Sequence, residues 1–303
     1  MARPLALASP MLPRPAAVVE LLKPITWFPP MWAFMCGVVS SGVSLESRWP
    51  FLLIGVMLTG PLVCGTSQAV NDWFDRDVDA INQPDRPVPS GRVPGRWALW
   101  IALFGTGLSL LVAATLGPWV LAAAALGLVL AWAYSAPPFR LKQSGWWGPA
   151  TCALCYEGLT WFTGAAVMLA GLPSAPVLIL AALYSFGAHG IMTLNDFKSV
   201  EGDRATGLRS LPVTLGVDGS ARLACAVMTS PQLVVVALLI RWERPAHAAA
   251  VGLALLVQLV LMARLLRDPR RLTPWYNATG TTLYVLGMLV SAFAVAAVQG
   301  GAS

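Results

Sequence analysis

Charge is what this chain has least of. Of its 303 residues only 11% are Asp, Glu, Lys or Arg, against roughly 25% in an ordinary soluble domain. So few charges cannot cover the surface of a soluble fold, which sets aside soluble enzymes and disordered chains. Disulfides are the second absence. The five cysteines are an odd number lying in or near apolar stretches, so no cross-linked framework is implied. Cys152 and Cys155 form a C-x-x-C with no second pair or His cluster beside it, and both read as helix-packing thiols. A signal peptide is the third: Pro4, Pro10, Pro13 and Pro15 interrupt any apolar core, and Arg14 sits inside it. Residues 16–23 read instead as a short helix at a membrane surface.

What is present is apolar. Hydrophobic residues make up 57% of the chain, which turns the reading to an all-α, polytopic membrane protein. A span needs about 20 mainly apolar residues, and nine stretches qualify, near 25–43, 51–71, 97–115, 119–137, 148–170, 175–195, 221–240, 246–266 and 278–298. The spacing predicts an N-terminal segment over 1–24 carrying the surface helix. A single transmembrane domain of nine helices follows over 25–303, with long polar loops over 71–96 and 195–216. With the N-terminus on one side, that side collects 17 of the 20 Lys and Arg, leaving Arg48, Arg241 and Arg244 opposite. The positive-inside bias then places the N-terminus in the cytoplasm and the C-terminus outside. The net charge of +6 is thereby explained by topology; the lipid bilayer is the expected partner and nucleic acid is not.

The acids are concentrated. Eight of the 14 lie in the two long loops: Asp72, Asp75, Asp77, Asp79 and Asp85 in one, and Asp196, Glu201 and Asp203 in the other. Asn71-Asp72 and Asn195-Asp196 occupy the same position at the ends of the second and sixth spans, a weak internal repeat four helices apart. If the second span stays helical to about residue 80, Gln68, Asp75 and Asp79 fall within about 60° of Asp72, and Asp77 points the other way. Three carboxylates on one stripe repel each other and call for a cation. Hard oxygen ligands favour Mg²⁺, which keeps waters and bridges to substrate phosphates. Two acidic clusters facing each other, with Arg86, Lys198 and Arg204 among them, suit a metal-bound diphosphate. In the second cluster Asp203 shares the face of Asp196 only if the helix survives Gly202.

At these residues the sequence resembles the UbiA superfamily of intramembrane prenyltransferases, whose N-D-x-x-D-x-x-x-D pattern is met by Asn71, Asp72, Asp75 and Asp79. The continuation from Asn82 through Pro84, Arg86, Pro87 and Pro89 to Gly91 is similar to the chlorophyll and bacteriochlorophyll synthase branch. So are the run from Asn195 to Arg204, with Gly207 and Pro212 after it, and the opening Lys23-Pro24-Ile-Thr-Trp27. Asp85, the stretch from Gly91 to Trp97, and Ala188-His189-Gly190 resemble the bacteriochlorophyll side of that branch. The likeness covers residues 20–300.

The resemblance implies a C20 prenyl diphosphate, geranylgeranyl or phytyl, as donor and the propionate of bacteriochlorophyllide as acceptor, with Mg²⁺ as cofactor. The setting implied is the inner or intracytoplasmic photosynthetic membrane, with the site facing the cytoplasm. Catalytic and metal-holding roles would fall to Asp72, Asp75, Asp79, Asp196 and Asp203. Asn71, Arg86, Asn195, Lys198 and Arg204 would bind the diphosphate. Glu157, an acid in mid-span, is functional by default, and His189 is a candidate for approaching the pigment's central metal; hydrogen-bonded packing is the alternative for both. Chlorophyllide, a quinone precursor or haem remain alternative acceptors, and an ion-coupled transporter or a pigment scaffold the alternatives outside enzymes. Acids gathered at one face rather than along a path argue against a transporter.

Overall fold

The computed structural model describes residues 12–300; Arg3, Pro4, Pro10 and most of the segment read for a signal peptide lie outside them. Twelve helices are arranged in chain order: α1 (Pro15–Leu22), α2 (Phe28–Ser40), α3 (Leu45–Asn82), α4 (Trp97–Leu116), α5 (Pro118–Ser135) and α6 (Trp147–Leu169), then α7 (Ala175–Asn195), α8 (Val200–Ala205), α9 (Leu211–Thr214), α10 (Gly216–Arg241), α11 (Pro245–Leu265) and α12 (Pro269–Gly300). Among the described residues the extended pairing is a single bridge between Ser144 and Arg209. Pro15, Pro118, Pro245 and Pro269 each open a helix, where the missing N–H costs nothing and the fixed φ is already helical.

Among the described residues, eight helices are long and apolar enough to cross a membrane. The first expected span, 25–43, is helical only over Phe28–Ser40, about 20 Å long where a bilayer core needs about 30 Å. Its start is held back by a left-handed Lys23 and a 3-10 turn at Pro24–Thr26. The second span is longer than expected, running from Leu45 to Asn82. It widens to a π-helix over Leu58–Cys64, where Pro61 removes a hydrogen-bond donor and its ring crowds the preceding turn. A second π segment covers Leu154–Gly158 in α6, and the two meet where Cys64 Sγ lies 3.6 Å from the Tyr156 hydroxyl.

Helix pairs approach through glycine. A Cβ added at Gly37 would lie 2.0 Å from the Trp161 carbonyl oxygen, and one at Gly164 would lie 2.0 Å from that of Phe34. α2 and α6 are therefore locked backbone to backbone, the contact that small residues permit in lipid. Behind this seam Trp161 stacks on Tyr184 with centroids 5.6 Å apart, and Tyr284 meets Tyr184 edge-on. Both tyrosine hydroxyls are satisfied, Tyr184 with Ser291 Oγ and Tyr284 by donating to the Tyr184 carbonyl, each at 2.8 Å. The expected surface helix is α1. It buries Ala17 and Leu21 in a cluster with Ala69 and Val70 of α3, and Glu20 is bound to Arg92 by two guanidinium hydrogen bonds. That guanidinium holds the Glu20 carboxyl below the usual carboxylate range. The C-terminal ends of α3 and α7, the loop after α5 and the end of α1 meet at one end of the bundle, where the site lies.

Candidate functional site

α3 stays helical to Asn82, so the register needed for the acidic stripe holds. Asp72 and Asp79 are buried, and Asp77 is 86% exposed, with Arg76 3.7 Å away. Each acid of the stripe is met by a different cation. Lys23 Nζ lies 2.6 Å from Asp72 Oδ1, Arg86 Nη1 lies 2.8 Å from Asp79 Oδ2 and 3.7 Å from Asp72 Oδ1, and Lys142 is paired with Asp75. Asn71 joins them, its amide donating to Asp75 Oδ2 at 3.0 Å and to Ser135 Oγ at 3.3 Å. Burial pushes the Lys142 pKa down from its ordinary value, and the Asp75 carboxylate works against that shift. Asp72 Oδ2 is buried with no partner, an acceptor left unused.

The second motif breaks earlier than Gly202. α7 gives way to a 3-10 turn over Asp196–Lys198, Ser199 leaves helical geometry at φ −113°, and α8 restarts at Val200. Asp203 still returns to the site, because the Ser199 hydroxyl donates to its Oδ2 at 3.2 Å. Asn195 accepts from Asn277 Nδ2 of α12 at 3.1 Å.

A cavity of about 460 Å³ lies between the motifs. Asn71, Asp75 and Lys142 line one wall, and Asn195, Asp196, Lys198 and Asp203 line the other. Tyr134, Cys152 and Tyr156 form the inner end, which continues into a smaller pocket beside Gln68. All five cysteines are free, and Cys152, read from sequence as a packing thiol, thus lies on the cavity wall. Asp72, Asp79 and Arg86 sit behind the wall in their ion pairs. Arg204 is exposed and outside the lining, so the structure does not bring it to the cavity. Glu157 is buried in the second π segment with Oε2 unpartnered, away from this cavity. His189 lines a separate groove.

Two site residues escape sequence reasoning, Lys23 and Lys142. A signal exists: the chain contains only three lysines among its 20 basic residues, and all three converge here, Lys23 on Asp72, Lys142 on Asp75 and Lys198 on the cavity wall. A flexible ammonium is a point donor suited to phosphate oxygens. The Lys142 loop is fastened to the second motif by backbone bonds, Arg209 N–H to the Gln143 carbonyl at 3.2 Å and Gly145 N–H to the Arg209 carbonyl at 2.9 Å.

Comparison with known proteins shows the family and the fold. Residues 26–283 match the model of the UbiA prenyltransferase family. The chain is 60% identical over 284 residues to the bacteriochlorophyll synthase 33 kDa chain of Cereibacter sphaeroides, covering 94% of each. It is 37% identical over 291 residues to a chloroplastic chlorophyll synthase of Oryza sativa subsp. japonica, covering 91% of this chain and 76% of that one. Its fold is similar to that of a UbiA homolog from Archaeoglobus fulgidus solved with GPP and Mg²⁺, with a TM-score of 0.75, 20% identity, and coverage of 93% of this chain and 99% of that one. This chain belongs to the UbiA prenyltransferase family.

Proposed function

We propose that this prenyltransferase esterifies the propionate of bacteriochlorophyllide with a C20 prenyl diphosphate, geranylgeranyl or phytyl, and releases diphosphate. The observation that carries the reading is the cavity walled on one side by Asn71, Asp75 and Lys142 and on the other by Asn195, Asp196, Lys198 and Asp203. Lys142, Lys198 and the two asparagine amides are donors for diphosphate oxygens. Arg86 and Lys23 balance Asp79 and Asp72 behind the wall, and Arg204 takes part only if α8 moves. The extent of sequence identity to the bacteriochlorophyll enzyme of Cereibacter sphaeroides, against that to the rice chlorophyll enzyme, supports the choice of acceptor.

The donor set fits a hard divalent cation such as Mg²⁺: carboxylates on both walls, and the unused, buried Oδ2 of Asp72 just behind one of them. Among the described residues no three His, Cys, Asp or Glu side chains gather closely enough to hold an ion by themselves. A cation held by one or two of Asp72, Asp75, Asp79, Asp196 and Asp203 would therefore take further ligands from phosphate and water. When bound, it supplies positive charge that stabilises the diphosphate as a leaving group.

The protein's remaining task is positional. The lysines and asparagines hold the diphosphate so that its ester C–O bond points to the Tyr134 and Tyr156 end of the cavity, where the first isoprene unit lies. That bond breaks with its electron pair going to diphosphate, and a carboxylate oxygen of the pigment bonds to the allylic carbon. The acceptor is already ionised near pH 7, so no protein base is required. The apolar bundle keeps out water that would quench the cation. The protein would act as a transmembrane helical bundle in the inner or photosynthetic membrane, with the N-terminus and the site on the cytoplasmic side. The test is a membrane assay pairing bacteriochlorophyllide, chlorophyllide and 4-hydroxybenzoate with geranylgeranyl and phytyl diphosphates. Esterified bacteriochlorophyllide is the expected product; another preferred acceptor, or no product from any pair, overturns the reading.

A further inference from the structure

Next to the diphosphate cavity lies a larger, mostly apolar groove of about 750 Å³ between α6, α7 and α10, inside the range of roughly 300–1,000 Å³ common for small-molecule sites. Its walls carry Trp146, Trp147, Leu154, Phe186, His189 and Val227. Three observations mark it as more than a crease. First, Ser144 lines both this groove and the diphosphate cavity, so a ligand in the groove reaches the reacting centre past that residue. Second, the groove is open on the outward faces of two apolar helices: Trp147 is 66% exposed and Phe186 58%. A ligand dissolved in the bilayer can therefore enter sideways. Third, His189 is buried on its wall among apolar side chains. Its Nδ1 is 3.4 Å from Thr193 Oγ1, its Nε2 makes no hydrogen bond of ordinary geometry, and Trp146 flanks it with both its main chain and a ring 5.7 Å away.

A buried imidazole nitrogen left unpaired is costly, and neutral imidazole is a common metal ligand. Broad aromatic faces suit a flat π system. We propose that this groove holds the ring of a metallotetrapyrrole acceptor, with His189 ligating its central metal and its propionate directed past Ser144 into the diphosphate cavity. This inference rests on the acceptor assigned above and adds where it sits and which side chain recognises its metal. Ligation would bring the Trp146 indole aside from the imidazole. The metal belongs to the substrate, so metal-free tetrapyrrole is the natural control.

Two variants test it in the full-length protein in nanodiscs. Ala182 lines the groove and is exposed, so Ala182→Trp fills the groove without entering the core. The expected result is a rise of about tenfold in KM for bacteriochlorophyllide, equivalent to about 1.4 kcal/mol, with KM for the prenyl diphosphate unchanged. An unchanged pigment KM overturns the groove assignment. For His189→Leu, equilibrium binding of bacteriochlorophyllide should weaken about tenfold while that of its metal-free counterpart stays the same. Equal loss for both ligands, or no loss for either, overturns the ligation. If the wild-type protein esterifies no tetrapyrrole at all, the proposed reaction fails first. If it does and Ala182→Trp is indifferent, only the groove fails.

Discussion

Lys23, the left-handed residue that ends α1, places its ammonium 2.6 Å from the buried Asp72 carboxylate of α3. The contact fastens the N-terminal helix to the first acidic motif across 49 positions of sequence. Asp72 is wholly buried, and the next cation, Arg86, stands 3.7 Å away. Removing Lys23 leaves the buried carboxylate with Arg86 alone, at a cost of up to about 3 kcal/mol. Lys23→Met should therefore lower the thermal midpoint in detergent by several degrees, and adding Asp72→Asn should recover most of the loss. If the double variant melts no higher than Lys23→Met, the pair does not hold α1 in place.

The stripe predicts a contrast between two neighbouring acids. Asp72 is buried just behind the cavity wall, and Asp77 faces away and is largely exposed. Asp72→Asn should reduce prenyl transfer by about a hundredfold or more, the scale of losing a major electrostatic contributor, with the protein still folded. Asp77→Asn should keep most of the activity. Product formation from labelled prenyl diphosphate measures both, and comparable losses would contradict the helical register through Asn82.

Metal removal probes the acids as a set. Lys23, Arg86 and Lys142 already neutralise the stripe, so EDTA should leave the fold intact. Turnover should stop and return on adding Mg²⁺. Full activity in EDTA would remove the role given to Asp75, Asp196 and Asp203 on the cavity walls.

Much of this was legible in the sequence because it depends on short range. Helical periodicity separates Asp77 from Asp72, Asp75 and Asp79, and apolar runs locate the spans. The convergence of the two Asn-Asp motifs follows from an even number of crossings between them. What was hidden depends on the tertiary fold. Lys23 and Lys142 lie 49 and 67 positions from the acids they meet, and no periodicity joins them. Hydropathy also overestimates the first span, because it does not register the left-handed Lys23 and the proline-led turn that delay α2. The second motif is similar: Gly202 is the residue whose type predicts a break, yet the helix breaks at Ser199, whose hydroxyl donates to Asp203 on the cavity wall.

The fastening between the two cavity walls gives the last prediction. A Cβ at Gly145 would lie 2.5 Å from the Leu211 backbone nitrogen and 2.8 Å from the Arg209 carbonyl oxygen. Both are main-chain atoms that cannot rotate aside, so Gly145→Ala must separate the Lys142 loop from the segment that follows Asp203. The cavity would widen, with Lys142 and Lys198 no longer spaced for one diphosphate. Misplacement by an ångström can cost as much as about a hundredfold in rate, so prenyl transfer should fall by at least about tenfold and KM for the prenyl diphosphate should rise. Because Gly145 itself carries no functional group, an unchanged KM would show that the two loops can part without disturbing the site, and that their pairing is not what sets the distance between the walls.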